Sequence, residues 1–327
     1  KPERRKIIAR ERSYHGVTVA AASLTGLPVT QNHFDLPVDA LGILRTDHPH
    51  YYRGKQDDES ETEFVDRIVG NLEALIVREG PETIAAFIAE PITGASGVIV
   101  PPDGYYQKVQ AVLNRYGIMF WADEVITGFG RTGSDFGCNS MGIEAPDMMT
   151  FAKQLSSAYM PISASAIRRD VYDAMIDQTA NAGAFGHGYT YSGHPVACAV
   201  ALKTQEIYQR DQIFEKAAVT GEYLQKRLAE FTDHPLVGEV RGRGMIGALE
   251  LVANKETGEP FVGGAVGGYA QKIAQDNGLL IRAVAGSSLG FCPPLIITNE
   301  QLDEMIEIVT IALDATLEHC RKENLIS

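Results

Sequence analysis

The chain has 327 residues, 45% of them hydrophobic and 22% charged, with a formal net charge of −13 from 42 acidic and 29 basic side chains. That balance disfavours a nucleic-acid backbone or an anionic membrane as the main partner, because a phosphate-binding surface needs a basic patch. Apolar runs fall far short of the roughly 18 residues a membrane span needs. Lys1-Pro2-Glu3-Arg4-Arg5-Lys6 leads into no apolar stretch, so no signal peptide is expected either. The four cysteines, Cys138, Cys198, Cys292 and Cys320, lack CxxC spacing and read as buried thiols of a reducing, cytoplasmic compartment.

Residues 6–10 read as a short strand running into the loop Ser13-Tyr14-His15-Gly16, and 17–59 as loop-rich, with Pro28, Pro37 and Pro49. In 61–79 the positions Phe64, Ile68, Leu72, Leu75 and Ile76 follow helical spacing, and Gly80-Pro81 ends the helix. A continuous apolar run at 84–89 ends on Glu90-Pro91, as in a strand buried on both faces. After a helix presenting Val109, Val112, Leu113 and Tyr116, a second buried strand at 118–122 ends on Asp123-Glu124. A third, 147–152, ends on Lys153, and 162–167 reads as a fourth. A long helix starts near Pro195 and continues in some form to about 231.

Further on, 240–252 holds the turn Arg241-Gly242-Arg243-Gly244 and a strand-like stretch, while 279–282 and 295–297 read as short strands. Gly263-Gly264 and Gly267-Gly268 read as a flexible turn. The last helix opens on the capping-box pattern Thr298-Asn299-Glu300-Gln301 and buries Leu302, Met305, Ile306, Val309 and Leu313. The fold class expected is α/β: a mainly parallel sheet covered by helices in 1–208, then a smaller α+β domain in 209–327.

Glu90, Asp123 and Lys153 end three successive strands, at the carboxyl edge where open α/β sheets bind ligands. Taken singly, each fits an interior ion-pair network equally well. Together, two carboxylates and an amine suit pyridoxal phosphate. A lysine amine forms a Schiff base with it, and a carboxylate keeps its ring nitrogen protonated. Gly128-Phe129-Gly130-Arg131-Thr132-Gly133 also fits the dinucleotide pattern G-x-G-x-x-G, but Asp123 to Thr127 separate it from its strand and no clear helix follows. The strand ending in Asp123-Glu124 resembles that of a nucleotide triphosphatase, yet no G-x-x-x-x-G-K-[ST] occurs. His48 and His50 with His33 offer imidazoles, but isolated loop histidines are usually solvated and no metal is expected.

The stretch Asp123-Glu124-Val125-Ile126-Thr127-Gly128-Phe129-Gly130-Arg131-Thr132-Gly133, followed by Phe136-Gly137, Pro146-Asp147 and Ala152-Lys153, resembles the signature region of class III (ω-type) pyridoxal-phosphate-dependent aminotransferases of fold type I. So do Tyr14-His15-Gly16, Glu90-Pro91-Ile92, Gly188-Tyr189-Thr190-Tyr191-Ser192-Gly193-His194-Pro195, Arg241-Gly242-Arg243-Gly244-Met245, Arg282 and Cys292-Pro293-Pro294-Leu295. The resemblance implies that Lys153 carries the cofactor and shuttles a proton. Asp123 would meet the pyridinium nitrogen, Val125 one ring face and Tyr14 the other, with His15 and Gly16 shaping that wall. Glu90 would join the polar network and Arg282 would receive a substrate carboxylate. Tyr189 and Thr190 would reach the phosphate of a neighbouring subunit, which implies a homodimer. The substrates implied are an amine or ω-amino acid donor and a keto acid such as pyruvate.

Two features depart from the family pattern. Gln154 follows the lysine where the family commonly has a small residue, usually Gly. The chain also starts just ahead of Tyr14, whereas the family's Ser/Gly-rich phosphate cup lies upstream. The alternative reading is therefore a non-catalytic form of the same fold that no longer retains the cofactor. Related aminomutases and decarboxylating transferases share the motifs.

Overall fold

The computed structural model describes residues 3–326, so Lys1 and Pro2 of the basic start lie outside the described residues. Six strands form the larger sheet: β1 (Lys6–Arg10), β2 (Ile43–Thr46), β3 (Ile84–Ala89), β4 (Met119–Asp123), β5 (Met148–Phe151) and β6 (Ala164–Ile167). Their order is β2-β1-β3-β4-β5-β6. All neighbours are parallel except β5 and β6, which run antiparallel. Within 17–59, read as loop, the chain folds into β2 and three short helices, α1 (Val19–Leu24), α2 (Pro28–His33) and α3 (Tyr51–Gly54).

Helices α4 (Glu61–Glu79) and α5 (Tyr105–Tyr116) cover one face of the sheet. Phe64, Ile68, Leu72 and Ile76 of α4 meet Val109 and Leu113 of α5 over Ile8, Phe87 and Phe120, in one buried cluster. A reciprocal Ser60–Glu63 capping box starts α4. Gly80, at φ 85°, ends it in a conformation that a Cβ would strain. Then come the short α6 (Gly137–Ser140), the outer helix α7 (Arg169–Ala182), and α8 (Pro195–Arg210) with α9 (Ile213–Ala229).

A second, antiparallel sheet follows. The hairpin of β7 (Val237–Arg243) and β8 (Ile246–Asn254) carries the two-residue β9 (Glu259–Pro260) on β8, and β10 (Arg282–Val284) with β11 (Ser288–Phe291) completes the order β10-β11-β8-β7. Helices α9, α10 (Ala265–Asp276) and α11 (Asn299–Lys322) bury their apolar stripes against it. The Thr298–Gln301 capping box forms as expected. No described helix is long and apolar enough to cross a membrane.

Several expectations need correction. The 162–167 run is an edge strand, β6, with Ala164, Ser165 and Ala166 exposed; it is not a buried strand. The helix from Pro195 breaks at Asp211-Gln212, where Gln212 takes φ 51°, a left-handed turn that its residue type does not advertise. Residues 295–297 form a turn closed by Ile297 N–H on Pro294 O, because Pro293 and Pro294 offer no amide for a ladder. The strand expected at 279–282 lies further along, at Arg282–Val284. Gly267 and Gly268 belong to α10, where a Cβ on Gly267 would meet Gly286 O and Ser287 Cα at 3.0 Å. Of the cysteines, Cys138 and Cys320 are buried, Cys198 is half-buried and Cys292 is exposed.

Candidate active site

Strands β3, β4 and β5 are parallel neighbours, with Ala89 paired to Ala122 and Asp123 to Thr150. Adjacent strands lie about 4.8 Å apart. Their carboxyl ends therefore deliver Glu90, Asp123 and Lys153 to one edge. Glu90 is buried, accepting the Tyr14 N–H at 2.9 Å and the Gly94 N–H at 3.0 Å. Burial pushes its carboxyl above the ordinary range, and the His15 ring and those two N–H groups oppose the shift. Asp123, also buried, lies with Oδ2 2.7 Å from His15 Nδ1 and accepts the Val125 N–H at 3.1 Å. The other ring nitrogen of His15 is buried without a partner. Arg10, fully buried, ties this edge down by donating to Glu90 O at 2.7 Å and to Tyr106 Oη at 3.0 Å.

A cavity of about 600 Å³ opens beside this edge. Tyr14, Lys153 and Arg282 line it, together with Leu27, Val29 and Ile126. The Lys153 amine makes no hydrogen bond or ion pair among the described residues. Partial burial lowers its pKa, against the pull of Asp123 and then Glu90. Lys153 also has φ 43°, a left-handed backbone worth about 1–2 kcal/mol of strain in a residue with a Cβ. Arg282, on β10, presents a guanidinium with no partner among the described residues. An unpaired amine and an unpaired cation thus share one apolar-walled chamber, with a carboxylate–imidazole pair close behind.

Of the residues singled out from the sequence, Lys153, Tyr14 and Arg282 line this cavity, His15 pairs with Asp123, and Glu90 accepts the Tyr14 and Gly94 amides. Val125 reaches Asp123 through its amide, while its neighbour Ile126 lines the cavity. Gly16 adopts φ 120° with Ala21 Cβ 3.2 Å from where its own Cβ would sit. Tyr189 and Thr190 are exposed in a turn closed by Tyr189 N–H on Ser192 Oγ, and they do not line this cavity. Leu27, Val29 and Thr30 were missed because they come from the stretch read as featureless loop. Gly94 was missed too, although a Cβ there would stand 2.4 Å from Ile126 Cδ1.

The competing motifs find structural roles. Glu124 accepts the N–H groups of Gly137 and Cys138 at 2.9 and 2.7 Å and the Thr127 hydroxyl at 2.5 Å, capping the start of α6. In the glycine-rich loop, Arg131 is buried and donates to Met245 O at 2.9 Å and Pro293 O at 2.6 Å, joining the loop to the second sheet. Gly244, at φ 57°, presses so close that a Cβ would lie 2.3 Å from Thr132 C. His50, Glu239 and Glu250 gather ligand atoms within 4.8 Å, but Arg241 bridges both carboxylates and Arg53 binds Glu250, so the cluster is an ion-pair network. Burial, with Arg12 adding to it, holds His48 neutral by lowering its pKa to about 3.

The class-III aminotransferase family model matches residues 1–313. Gamma aminobutyrate transaminase 1 of Solanum lycopersicum, a mitochondrial protein by its name, is 49% identical over 317 residues, covering 97% of this chain and 61% of that one. An uncharacterized aminotransferase of Sinorhizobium fredii is 44% identical over 323 residues, 97% of this chain and 68% of that one. The crystal structure of an omega transaminase from Pseudomonas jessenii in complex with PMP superposes with a TM-score of 0.94 at 48% identity, over 97% of this chain and 69% of that one. The chain belongs to the class III aminotransferase family. It spans about 60% of the length of the first gamma-aminobutyrate transaminases it matches.

Proposed function

We propose that the full-length protein is a pyridoxal-phosphate-dependent transaminase that moves an amino group from an amine or ω-amino acid to a keto acid such as pyruvate. The observation carrying this reading is the unpaired Lys153 amine, sharing a cavity with Tyr14 and Arg282 beside the buried Asp123–His15 pair. The donor set suits the cofactor: an available amine, a carboxylate held in place, an aromatic wall and a free cation. When bound, pyridoxal phosphate supplies a carbonyl for an amine to capture and a ring that withdraws electrons from the substrate carbon.

Lys153 Nζ would hold the cofactor and, once released, could carry a proton to and from the substrate carbon. Asp123 would hold the proton on the ring nitrogen, with His15 fixing the orientation of that carboxylate. Tyr14 would cover one ring face, with His15 and Gly16 behind it, and Val125 with the cavity-lining Ile126 would supply the other. Leu27 and Val29 help exclude water. Glu90 orders the Tyr14 and Gly94 backbones. Arg282 receives the substrate carboxylate, consistent with the ω-amino acid in the names of the curated relatives. Tyr189 and Thr190, exposed on their turn, would serve the phosphate site of a second copy in a homodimer. We take 1–208 as the cofactor-binding part and 209–327 as the small domain.

Borohydride reduction of the cofactor-loaded, full-length protein followed by peptide mapping should place the label on Lys153. Label on another lysine ends the assignment. A panel of amines and ω-amino acids with pyruvate identifies the donor, and no transfer from any of them would overturn the reaction class.

A further inference from the structure

The turn that carries Lys153 is built against the preferences of its residues. Lys153, Ser157 and Ala158 take φ 43°, 50° and 60°, three left-handed residues within six positions and no glycine among them. Such a turn persists only where its surroundings impose it. Its internal bonds, Leu155 N–H to Ala152 O at 2.9 Å and Ser156 N–H to Lys153 O at 3.2 Å, close it locally but do not anchor it.

The anchor comes from one face of α8. Tyr208 Oη stands in donating geometry to two oxygens of Gln154, the backbone O at 3.0 Å and the side-chain Oε1 at 3.1 Å. One turn earlier, Gln205 Nε2 donates to Leu155 O at 3.0 Å. The Tyr208 ring is buried against Phe214, centroids 5.3 Å apart, in a cluster that also contains Phe129 and Leu295, with Leu155 packed on it. A phenol has a single proton. Once that proton is given to the backbone carbonyl, the oxygen's lone pairs face the Gln154 amide, whose NH₂ end can turn to meet them. The side chain that departs from the family's usual small residue thus has a partner, and that partner also grips the peptide next to the reacting lysine.

We propose that Tyr208 is a positioning residue for Lys153: through Gln154 it holds the left-handed turn so that Nζ projects into the cavity. This rests on Lys153 being the cofactor-bearing lysine. The role predicts an effect on cofactor capture that exceeds any effect on folding. A purely structural tyrosine would do the reverse.

The test uses the full-length protein with Tyr208→Phe, which keeps the ring, Gln154→Ala, and the double variant. Three quantities are read: affinity for pyridoxal phosphate, the pH midpoint of the visible band of the lysine-bound cofactor, and the melting temperature without cofactor. Tyr208→Phe should weaken cofactor affinity roughly five- to tenfold and move the midpoint by about half a unit, with the melting temperature nearly unchanged. Gln154→Ala should weaken affinity about twofold, and the double variant should be no worse than Tyr208→Phe, since Gln154→Ala removes only one of the two contacts that Tyr208→Phe already removes. A lower melting temperature with affinity and midpoint at wild type would overturn the proposal, as would no change in any of the three. If Tyr208→Phe does not fold, Gln205→Ala, which releases Leu155 O, carries the same expectation and the same overturning result. Failure of borohydride to label Lys153 in the unmodified protein would instead remove the function on which the proposal stands.

Discussion

The two halves of the larger sheet differ sharply. Under α4 and α5, Phe87 of β3 is fully buried and stacks on Phe120 with ring centroids 5.8 Å apart. At the other edge, β6 is almost wholly exposed and α7 contains no buried residue at all. Tyr172, Ile176, Phe185 and Tyr189 there are 45–76% exposed. Large apolar side chains in contact with water mark a surface made for covering. The first region finds all its cover within this chain. The second is where a second copy would sit in the proposed homodimer.

Substitutions can sharpen or break that contrast. Phe87→Ala should cost about 3–5 kcal/mol in denaturant unfolding, since it leaves a cavity that the sheet cannot collapse; a loss under 1 kcal/mol would show that the first region is not self-sufficient. Asp123→Asn at the boundary between the halves should still bind pyridoxal phosphate but lose turnover by on the order of 10²-fold or more. Near-native turnover would remove the carboxylate from the ring nitrogen. Arg282→Ala should slow the keto-acid half-reaction roughly ten- to a hundredfold while sparing the half-reaction with a simple amine. Equal loss on both halves would make it a structural cation. Smallest of all on folding, Ile176→Ser should change unfolding stability by no more than about 0.5 kcal/mol yet shift the proposed dimer toward monomer in sedimentation of the full-length protein. A large folding loss would mean that α7 packs on its own chain after all.

The same contrast explains what could be read from the sequence. Helix α4 and strands β3 and β4 were legible because burial within the chain imprints a period of 3.6 or a continuous apolar run. Their ends announced Glu90 and Asp123, since a charge stopping an apolar run is conspicuous. Lys153 was legible by the same rule. Helix α7 went unread although Val171, Tyr172, Met175 and Ile176 recur at helical spacing, and none of them is buried within the chain. The cavity walls Leu27, Val29 and Thr30 were invisible because their contacts are made by short helices with no periodicity to detect. Gln212 and the Tyr208–Gln154 contact depend on backbone geometry and on partners more than fifty positions apart, which local patterns do not record.

The dipeptide Asp123-Glu124 has a consequence of its own. Successive side chains leaving a strand point to opposite sides. One carboxylate therefore turns toward the imidazole of His15, and the next turns away to clasp the amides of Gly137 and Cys138. Exchanging the two residue types would do more than swap a short acid for a long one. Shifting β4 by a single position against β3 would flip every side chain across the sheet, pointing the clasping carboxylate at the chamber and leaving the loop unfastened. The direction of the acid beside the chamber is thus locked by its neighbour's clasp on the loop.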